Sequence, residues 1–289
     1  MATLSYHEQK DIENIKKLRE LQKELPSFCS DFFRGIETST STRTRIAYAY
    51  DLKIFFQFLK AANPGTFDNP SHTLTPSDLE KLTVTDLEEY IDYLKCHPSD
   101  TNEDVINTER GLMRKVSSLR SFYSYFFRNE RIEKNPAALV RMPKLHEKEI
   151  IRLEIDEVAK LLDEVEEGDK LTEKQKLYHE RTKVRDLAMM SLLLGTGIRV
   201  SECVGLNIND IDLDTCGARV YRKGGKESVI YFSDEVRDVL ENYLDEREMI
   251  DAVPGNEDAL FLSMQRKRIN VRSVENLVKK YAKLVTPLK

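Results

Sequence analysis

Leu192-Leu-Leu-Gly-Thr-Gly-Ile-Arg199, followed by Val200-Ser-Glu202, is the most informative segment of the sequence. Its apolar first half predicts a buried helix, the glycines predict a turn, and Val200-Ser-Glu202 predicts the start of a second helix. Arg199 therefore lies at a rigid junction, where helix N-terminal amides favour an anion. A guanidinium at this place suits two oxygens of one phosphate, but it can also cap carbonyl groups. Glu202 can orient Arg199 or cap its own helix.

A β-rich segment comes after this junction. Its three short runs are residues 210–213, 218–222 and 228–232, and Lys223-Gly-Gly-Lys-Glu227 joins the last two. This pattern predicts a small antiparallel sheet with Lys223 in a hairpin turn. Lysines in such turns usually serve solubility. A turn lysine can also reach a neighbouring cleft and protonate a leaving oxygen, as general-acid catalysis requires.

Helical periodicity dominates the rest of the chain. Apolar spacing and start signals predict helices over residues 8–25, 43–61, 76–82, 85–96, 103–129, 154–166, 182–194, 234–250 and 271–284. We expect three parts: an N-terminal helical extension (1–25), a helical domain (26–144) and, after a linker, a mostly helical domain with one small sheet (150–289).

Composition excludes several classes of function. The 289 residues contain no apolar run of the roughly 20 residues needed to span a bilayer. The N-terminus has no signal-peptide core, so we expect a cytoplasmic protein. The four cysteines are widely spaced and no Cys/His cluster suggests zinc. Without a phosphate-binding glycine loop, nothing predicts ATP or a dinucleotide, so the expected metal and cofactor content is none.

The net charge of −5 argues against nucleic-acid binding only if the charges are evenly mixed. They are segregated, with acid concentrated in 154–169 and 234–251 and base in 110–120, 128–141 and 266–283. In the helix predicted over 103–129, basic and hydroxylic side chains lie opposite an apolar stripe. That face is either a solvated surface or a face that tracks phosphates.

Taken in order, the Gly195-Thr-Gly-Ile-Arg-Val-Ser-Glu202 box, the small sheet and the Lys223 turn resemble the tyrosine recombinase family of phage-integrase and Xer-type enzymes. Thr42-Arg-Thr-Arg-Ile-Ala-Tyr48 is similar to the first helix of that family's core-binding domain. Ser118-Leu-Arg-Ser-Phe-Tyr123 and Asn135-Pro-Ala137 are similar to its last helix and exit. The resemblance covers about residues 25–289. It implies a mainly α fold, with a helical, SAM-like core-binding domain and a mixed α/β catalytic domain that carries a three-stranded antiparallel sheet.

The resemblance also implies a role for each matching residue. Arg199 matches the family's first catalytic arginine, which clamps the scissile phosphate, and Glu202 matches the acidic residue that buttresses it. Lys223 matches the hairpin lysine that protonates the leaving 5′ oxygen. Such enzymes cleave a DNA strand with a tyrosine, form a 3′-phosphotyrosyl link and rejoin it to a partner strand without metal or ATP. The implied partners are a double-stranded DNA site and, for the full-length enzyme, three further copies in a homotetramer.

DNA contacts are expected at basic residues on the first and last helices of the core-binding domain and beyond the sheet. The candidates are Arg43, Arg45, Arg110, Arg114, Lys115, Arg120, Lys267, Arg268 and Arg272. If Arg120 reads a base edge, its replacement by alanine should weaken specific binding by roughly 1–3 kcal/mol.

The sequence departs from the family's pattern near its end. The family follows the helix that resembles 272–283 with a His-x-x-Arg box and the nucleophilic tyrosine, whereas the last histidine here is His179. Tyr221, Tyr231 and Tyr281 are better explained by packing. We therefore expect a truncated chain that binds DNA, forms no covalent adduct and is monomeric in solution. A non-catalytic DNA-binding regulator of recombination, or a helical protein-interaction module, remains as an alternative.

Overall fold

The protein folds as two compact units, Met1–Glu149 and Ile150–Lys289, in the computed structural model. The structure describes residues 5–285 except 100, 102, 147–151 and 223–224. Helices dominate the described residues, and the strands form one two-stranded and one three-stranded antiparallel sheet. The predicted mainly α fold with a small three-stranded antiparallel sheet is confirmed. No described helix is both long enough and apolar enough to cross a membrane.

The first unit consists of seven described α-helices, one short hairpin and a 3₁₀ turn. These are α1 (Tyr6–Lys23), α2 (Cys29–Gly35), α3 (Thr42–Ala62), α4 (Pro64–Phe67), α5 (Pro76–Leu79), α6 (Val84–Tyr93), β1 (Cys96–Pro98), β2 (Asp104–Ile106), α7 (Glu109–Arg128) and the 3₁₀ turn Pro136–Ala138.

Aromatic side chains fill the core of this unit. Phe28, at the start of α2, packs edge-on against Phe56 of α3 and Phe126 of α7. Offset and edge-to-face rings of this kind add to the free energy gained by burying their area. Helix α1 belongs to the same core, because Leu18 and Leu21 are buried in it.

Helix α7 begins later than the periodicity predicted. The side chain of Thr108 caps it by accepting a hydrogen bond from the backbone N–H of Gly111 at 3.2 Å. Residues 104–106, which were predicted as helix, instead pair with 96–98 as an antiparallel hairpin. Short strands without clear alternation carry little periodic signal, and the Thr108 cap decides the boundary.

The second unit surrounds its sheet with helices. These elements are α8 (Ile155–Glu167), α9 (Glu173–His179), α10 (Lys183–Thr196), α11 (Val200–Cys203), the 3₁₀ turn Ile208–Asp210, β3 (Ile211–Asp212), β4 (Gly217–Arg222), β5 (Lys226–Tyr231), α12 (Asp234–Glu248) and α13 (Val271–Val285).

The sheet and the helices of the second unit share one core. The strand order is β3-β4-β5, and Ala218 and Val220 of the central strand are buried with Leu192 of α10 and Leu240 of α12. Helix α10 is thus held on its apolar face, which leaves its C-terminal end to lead into the glycine turn.

Candidate active site and nucleic-acid interface

The junction between α10 and α11 depends on a left-handed glycine. Gly197 has φ +66° and its backbone N–H donates to the carbonyl of Leu193 at 3.0 Å, which ends α10. Only glycine adopts this conformation without a steric penalty. Two residues later, Arg199 takes extended backbone angles as the N-cap of α11.

Glu202 holds Arg199 at two places. One carboxylate oxygen, Oε1, accepts a hydrogen bond from Nη1 of the Arg199 guanidinium at 2.9 Å, and Oε2 accepts from the Arg199 backbone N–H at 2.9 Å. The two roles that the sequence left open for Glu202 therefore occur together. The Glu202 side chain is 6% exposed and that of Arg199 is 71% exposed. A buried carboxylate thus fixes a guanidinium that faces solvent, the arrangement that an arginine needs to bind an oxyanion.

Lys223 lies outside the described residues. On either side of it, β4 and β5 form a hairpin in which Arg222 is directly opposite Lys226. Gly225, with φ +75°, donates its backbone N–H to the carbonyl of Arg222 at 3.2 Å. The predicted hairpin between the second and third strands of the sheet is present.

Three of the predicted DNA contacts meet in one groove of the first unit. Arg43 from α3 and Arg110 and Arg114 from α7 line a groove of about 510 Å³, together with Thr44, Ala47, Tyr48, Met113 and Ser117. All three arginines are exposed. A groove lined by cations and small or hydroxylic side chains suits a nucleic-acid backbone. We call it the α3–α7 groove.

Three other predicted DNA contacts, Arg45, Lys115 and Arg120, bind groups within the first unit. Arg45 is buried, and its Nη1 donates to Glu37 at 2.8 Å. Lys115 is buried and pairs with Asp51. Arg120 donates to three backbone carbonyls beyond the end of α7, those of Ala137, Ala138 and Val140. Each of these three side chains therefore has a partner within the first unit, and their DNA contacts stay predictions.

The basic residues beyond the sheet also divide into two kinds. Arg268 donates to the carbonyls of Val204 and Leu206 and to the side chain of Asn207, which ties the segment before α13 to the end of α11. Lys267 and Arg272 are exposed, and Arg272 contacts only Glu275 among the partners described, at 3.2 Å. Lys267 and Arg272 stay candidates for DNA contacts.

Of the three tyrosines considered as nucleophiles, only Tyr281 is in a buried, structural position. Tyr281 is fully buried, burial raises the pKa of its hydroxyl well above the usual range, and its ring packs edge-on against His179. Tyr221 is half-buried on β4, whereas Tyr231 is exposed at the end of β5 opposite Gly217, so the expectation that packing explains Tyr231 is wrong. A nucleophilic hydroxyl has to ionise readily and reach the phosphorus atom, which the burial of Tyr281 opposes.

The part of the chain that the structure describes contains no group of three or more His, Cys, Asp or Glu side chains that could hold a metal ion.

Sequence reasoning missed one functional candidate, Asp51. Its signal was a carboxylate on α3 next to the apolar positions Leu52, Phe55 and Phe56, where an acid has to be paired.

Comparison with known proteins identifies the family of this chain. The model of the phage integrase family matches residues 151–286. Tyrosine recombinase XerC of Caldanaerobacter subterraneus subsp. tengcongensis is 35% identical over 269 residues, which cover 89% of this chain and 69% of the relative. Tyrosine recombinase XerS of Streptococcus uberis is 31% identical over 296 residues, covering 93% of this chain and 82% of the relative.

Solved structures show the same fold. XerH recombinase bound to its difH substrate aligns with a TM-score of 0.58 and 15% identity, over 86% of this chain and 64% of that one. A lambda integrase dimer (residues 75–356) bound to a COC′ core site gives 0.57 and 15%, over 90% of this chain and 80% of that one. The two relatives, XerC and XerS, place the chain in the class of site-specific DNA recombinases. Its helical fold with a small sheet, and the arginine fixed at a helix junction, agree with that class. The chain belongs to the tyrosine recombinase (phage integrase) family, as its sequence predicted.

Proposed function

We propose that this chain binds the double-stranded DNA of a recombination site, with Arg199 of the second unit on the scissile phosphate and the α3–α7 groove of the first unit on backbone phosphates. The observation that carries the proposal is the pairing of an exposed Arg199 guanidinium with a buried Glu202 carboxylate. Because Glu202 restricts the guanidinium before DNA arrives, less conformational entropy is lost when the phosphate binds.

In the reaction of this family, a tyrosine hydroxyl oxygen attacks the phosphorus and the bond from phosphorus to the 5′ oxygen breaks. Charge accumulates on the phosphoryl oxygens, where the guanidinium of Arg199 stabilises it. We assign to Lys223 the proton that the leaving 5′ oxygen takes up. The 5′ hydroxyl of the partner strand then attacks the phosphotyrosyl link and releases the tyrosine. Since one phosphoester is exchanged for another, no ATP is consumed.

The proposal for residues 1–289 is narrower than the full reaction: they hold the phosphate and do not attack it. It is supported by the burial of Tyr281 and by the lack of any histidine after His179. One of the solved relatives is a lambda integrase tetramer bound to a Holliday junction. By analogy, we assign recombination to four protomers on DNA.

Ethylation interference tests the role of Arg199. A duplex that binds the chain is first selected from a random-sequence pool, and its phosphates are then ethylated one per molecule. For the wild-type chain, ethylation at the scissile phosphate should block binding. Arg199→Ala should lose the sensitivity at that phosphate and keep it at the phosphates bound by the α3–α7 groove. An unchanged interference pattern in Arg199→Ala would overturn the assignment.

The same duplex, nicked next to the sensitive phosphate, traps covalent intermediates of this family because the cleaved piece diffuses away. The chain of residues 1–289 should give no protein–DNA adduct that survives denaturation. An adduct would show that one of its own tyrosines is the nucleophile. If the chain showed no salt-sensitive binding to duplex DNA, the result would instead favour the alternative of a helical protein-interaction module.

A further inference from the structure

Asp51 is a buried carboxylate that lies between two cations of α7. It projects from α3 with a side chain 1% exposed. Its Oδ2 accepts a hydrogen bond from Nη1 of Arg114 at 2.5 Å, and its Oδ1 accepts from Nζ of Lys115 at 3.2 Å. Burial raises the pKa of Asp51, and the two cations oppose this shift. A carboxylate is costly to bury, and its ion pairs with Lys115 and Arg114 offset that cost.

The two cations differ in exposure. Lys115 is 8% exposed and Arg114 is 44% exposed. One acid with two bases leaves a net charge of +1, and Lys115 is the cation enclosed with Asp51. The surplus positive charge is therefore on Arg114, the member of the three that lines the α3–α7 groove.

Only one nitrogen of Arg114 is committed to the fold. Nη1 contacts Asp51 and, at 3.3 Å, the carbonyl of Ala47, whereas Nε and Nη2 have no hydrogen-bond partner among the described residues. A guanidinium presents its donors in a rigid plane, so anchoring one nitrogen sets the direction of the rest. The remaining edge is available to a phosphate oxygen.

We propose that Asp51 is a positioning residue for DNA binding: it anchors Arg114 from beneath the α3–α7 groove, and Lys115 neutralises it so that Arg114 keeps its full charge for a backbone phosphate. This inference rests on the proposed function, since it assigns a buried support to one contact of the DNA surface.

The direction in which Asp51→Asn changes the affinity for DNA distinguishes a positioning role from a purely electrostatic effect. Asp51→Asn removes a negative charge near DNA, which by Coulomb's law alone strengthens binding. Positioning predicts the opposite. We expect Asp51→Asn to weaken affinity for the selected duplex about 5- to 20-fold and to reduce the slope of log affinity against log salt by about 0.9, the value for one lost phosphate contact. The matched control is Asp92→Asn, which removes an exposed acid of α6 that is paired with Lys95 and should not weaken binding.

A double-mutant cycle completes the test. Arg114→Ala should weaken binding to a similar degree, and Asp51→Asn should add little in the Arg114→Ala background, since the anchored group is already gone. Two results would overturn the positioning role of Asp51 and leave the α3–α7 groove as the DNA surface. In the first, Arg114→Ala weakens binding and Asp51→Asn does not. In the second, the double variant loses affinity by the product of the two single losses. If Arg114→Ala and Arg43→Ala both bind as tightly as wild type, the groove is not the DNA surface, and the proposed function fails there as well.

Arg114→Lys provides a second variant that keeps Asp51 ionised and paired if Asp51→Asn fails to fold. A single ammonium cannot copy the planar fork, which anchors with one nitrogen and presents the rest in a fixed direction. We therefore expect Arg114→Lys to lose nearly as much affinity as Arg114→Ala. Wild-type affinity in Arg114→Lys would mean that charge alone matters, and it would overturn the proposal.

Discussion

Two arginine–glutamate pairs in the second unit have the same spacing and different surroundings. Arg199–Glu202 and Arg272–Glu275 are both i,i+3 pairs, with nitrogen–oxygen distances of 2.9 and 3.2 Å. The acid of the first pair is 6% exposed and that of the second is 45% exposed. An exposed pair gains little because water screens it and ordering both side chains costs entropy. Only the first pair has a carboxylate that is itself fixed.

Glu202→Ala should therefore destabilise the protein where Glu275→Ala does not. The first substitution leaves the Arg199 backbone N–H without its acceptor and removes a buried charged partner, at a cost of about 1–3 kcal/mol in unfolding free energy. The second should cost less than about 0.5 kcal/mol. Urea unfolding followed by far-UV circular dichroism measures both. Equal losses in the two variants would contradict the difference in burial.

At the scale of elements, the end of α10 depends on the backbone of one residue. A β-carbon on Gly197 would meet no atom within 4 Å, so nothing around the residue excludes a side chain. The requirement lies in its φ of +66°, which L-residues adopt at a cost. Gly65 in α4 makes the comparison, because a β-carbon there also meets open space and its φ is not in the left-handed region.

Gly197→Ala should lower the unfolding free energy by about 1–2 kcal/mol through left-handed strain. Gly65→Ala should leave it unchanged or raise it by up to about 1 kcal/mol, because alanine has fewer unfolded conformations to lose. Denaturant unfolding of the two variants tests this difference in sign. A loss of the same size in both would show that φ is not the cause.

The elements with strong local signals were predictable from the sequence. Helix α3 has a serine cap and a long apolar stripe, and the strands β4 and β5 flank a glycine-rich turn. Helix α2 was missed because its seven residues follow a proline and carry less than two turns of periodicity. The β1–β2 hairpin was missed because its three-residue strands pair with each other through the backbone, which leaves little pattern in the side chains.

Contacts of the site between residues close in sequence were predictable, and contacts between residues distant in sequence were not. The contact between Arg199 and Glu202 follows from i,i+3 spacing at a helix start. The placements of Arg45, Arg120 and Arg268 do not, because their partners are 8 or more residues away in sequence. The sequence shows that an arginine is present. Only the packed fold shows whether its N–H groups already donate hydrogen bonds to backbone carbonyl groups.

At the scale of the whole molecule, the net charge of −5 conceals a local excess of positive charge. Arg43, Arg110 and Arg114 bring three cations to one groove. Affinity for a polyanion depends on the phosphates neutralised at the contact surface more than on the average charge. Screening shortens the reach of the acidic segments elsewhere, since the Debye length is about 8 Å at physiological ionic strength.

Binding to duplex DNA should therefore be strongly salt-dependent in spite of the acidic composition. Four phosphate contacts, one by Arg199 and three in the α3–α7 groove, predict a slope of about −3.6, so raising monovalent salt from about 50 to 200 mM should weaken binding about 150-fold. Fluorescence anisotropy with an end-labelled duplex measures this slope. Arg43→Gln should reduce it by about 0.9. A slope near zero for the wild-type chain would show that the groove does not neutralise phosphates.

The three hydrogen bonds from Arg120 to residues 137–140 also determine where the first unit can be cut for study in isolation. Its last α-helix ends at Arg128, but a fragment that stopped there would lose the carbonyls bound by Arg120 and the buried side chains of Ala137 and Val140. A fragment extended to residue 146 keeps all of them. The 3₁₀ turn after α7 is therefore an integral part of this unit. A fragment that includes it keeps the α3–α7 groove in a folded unit.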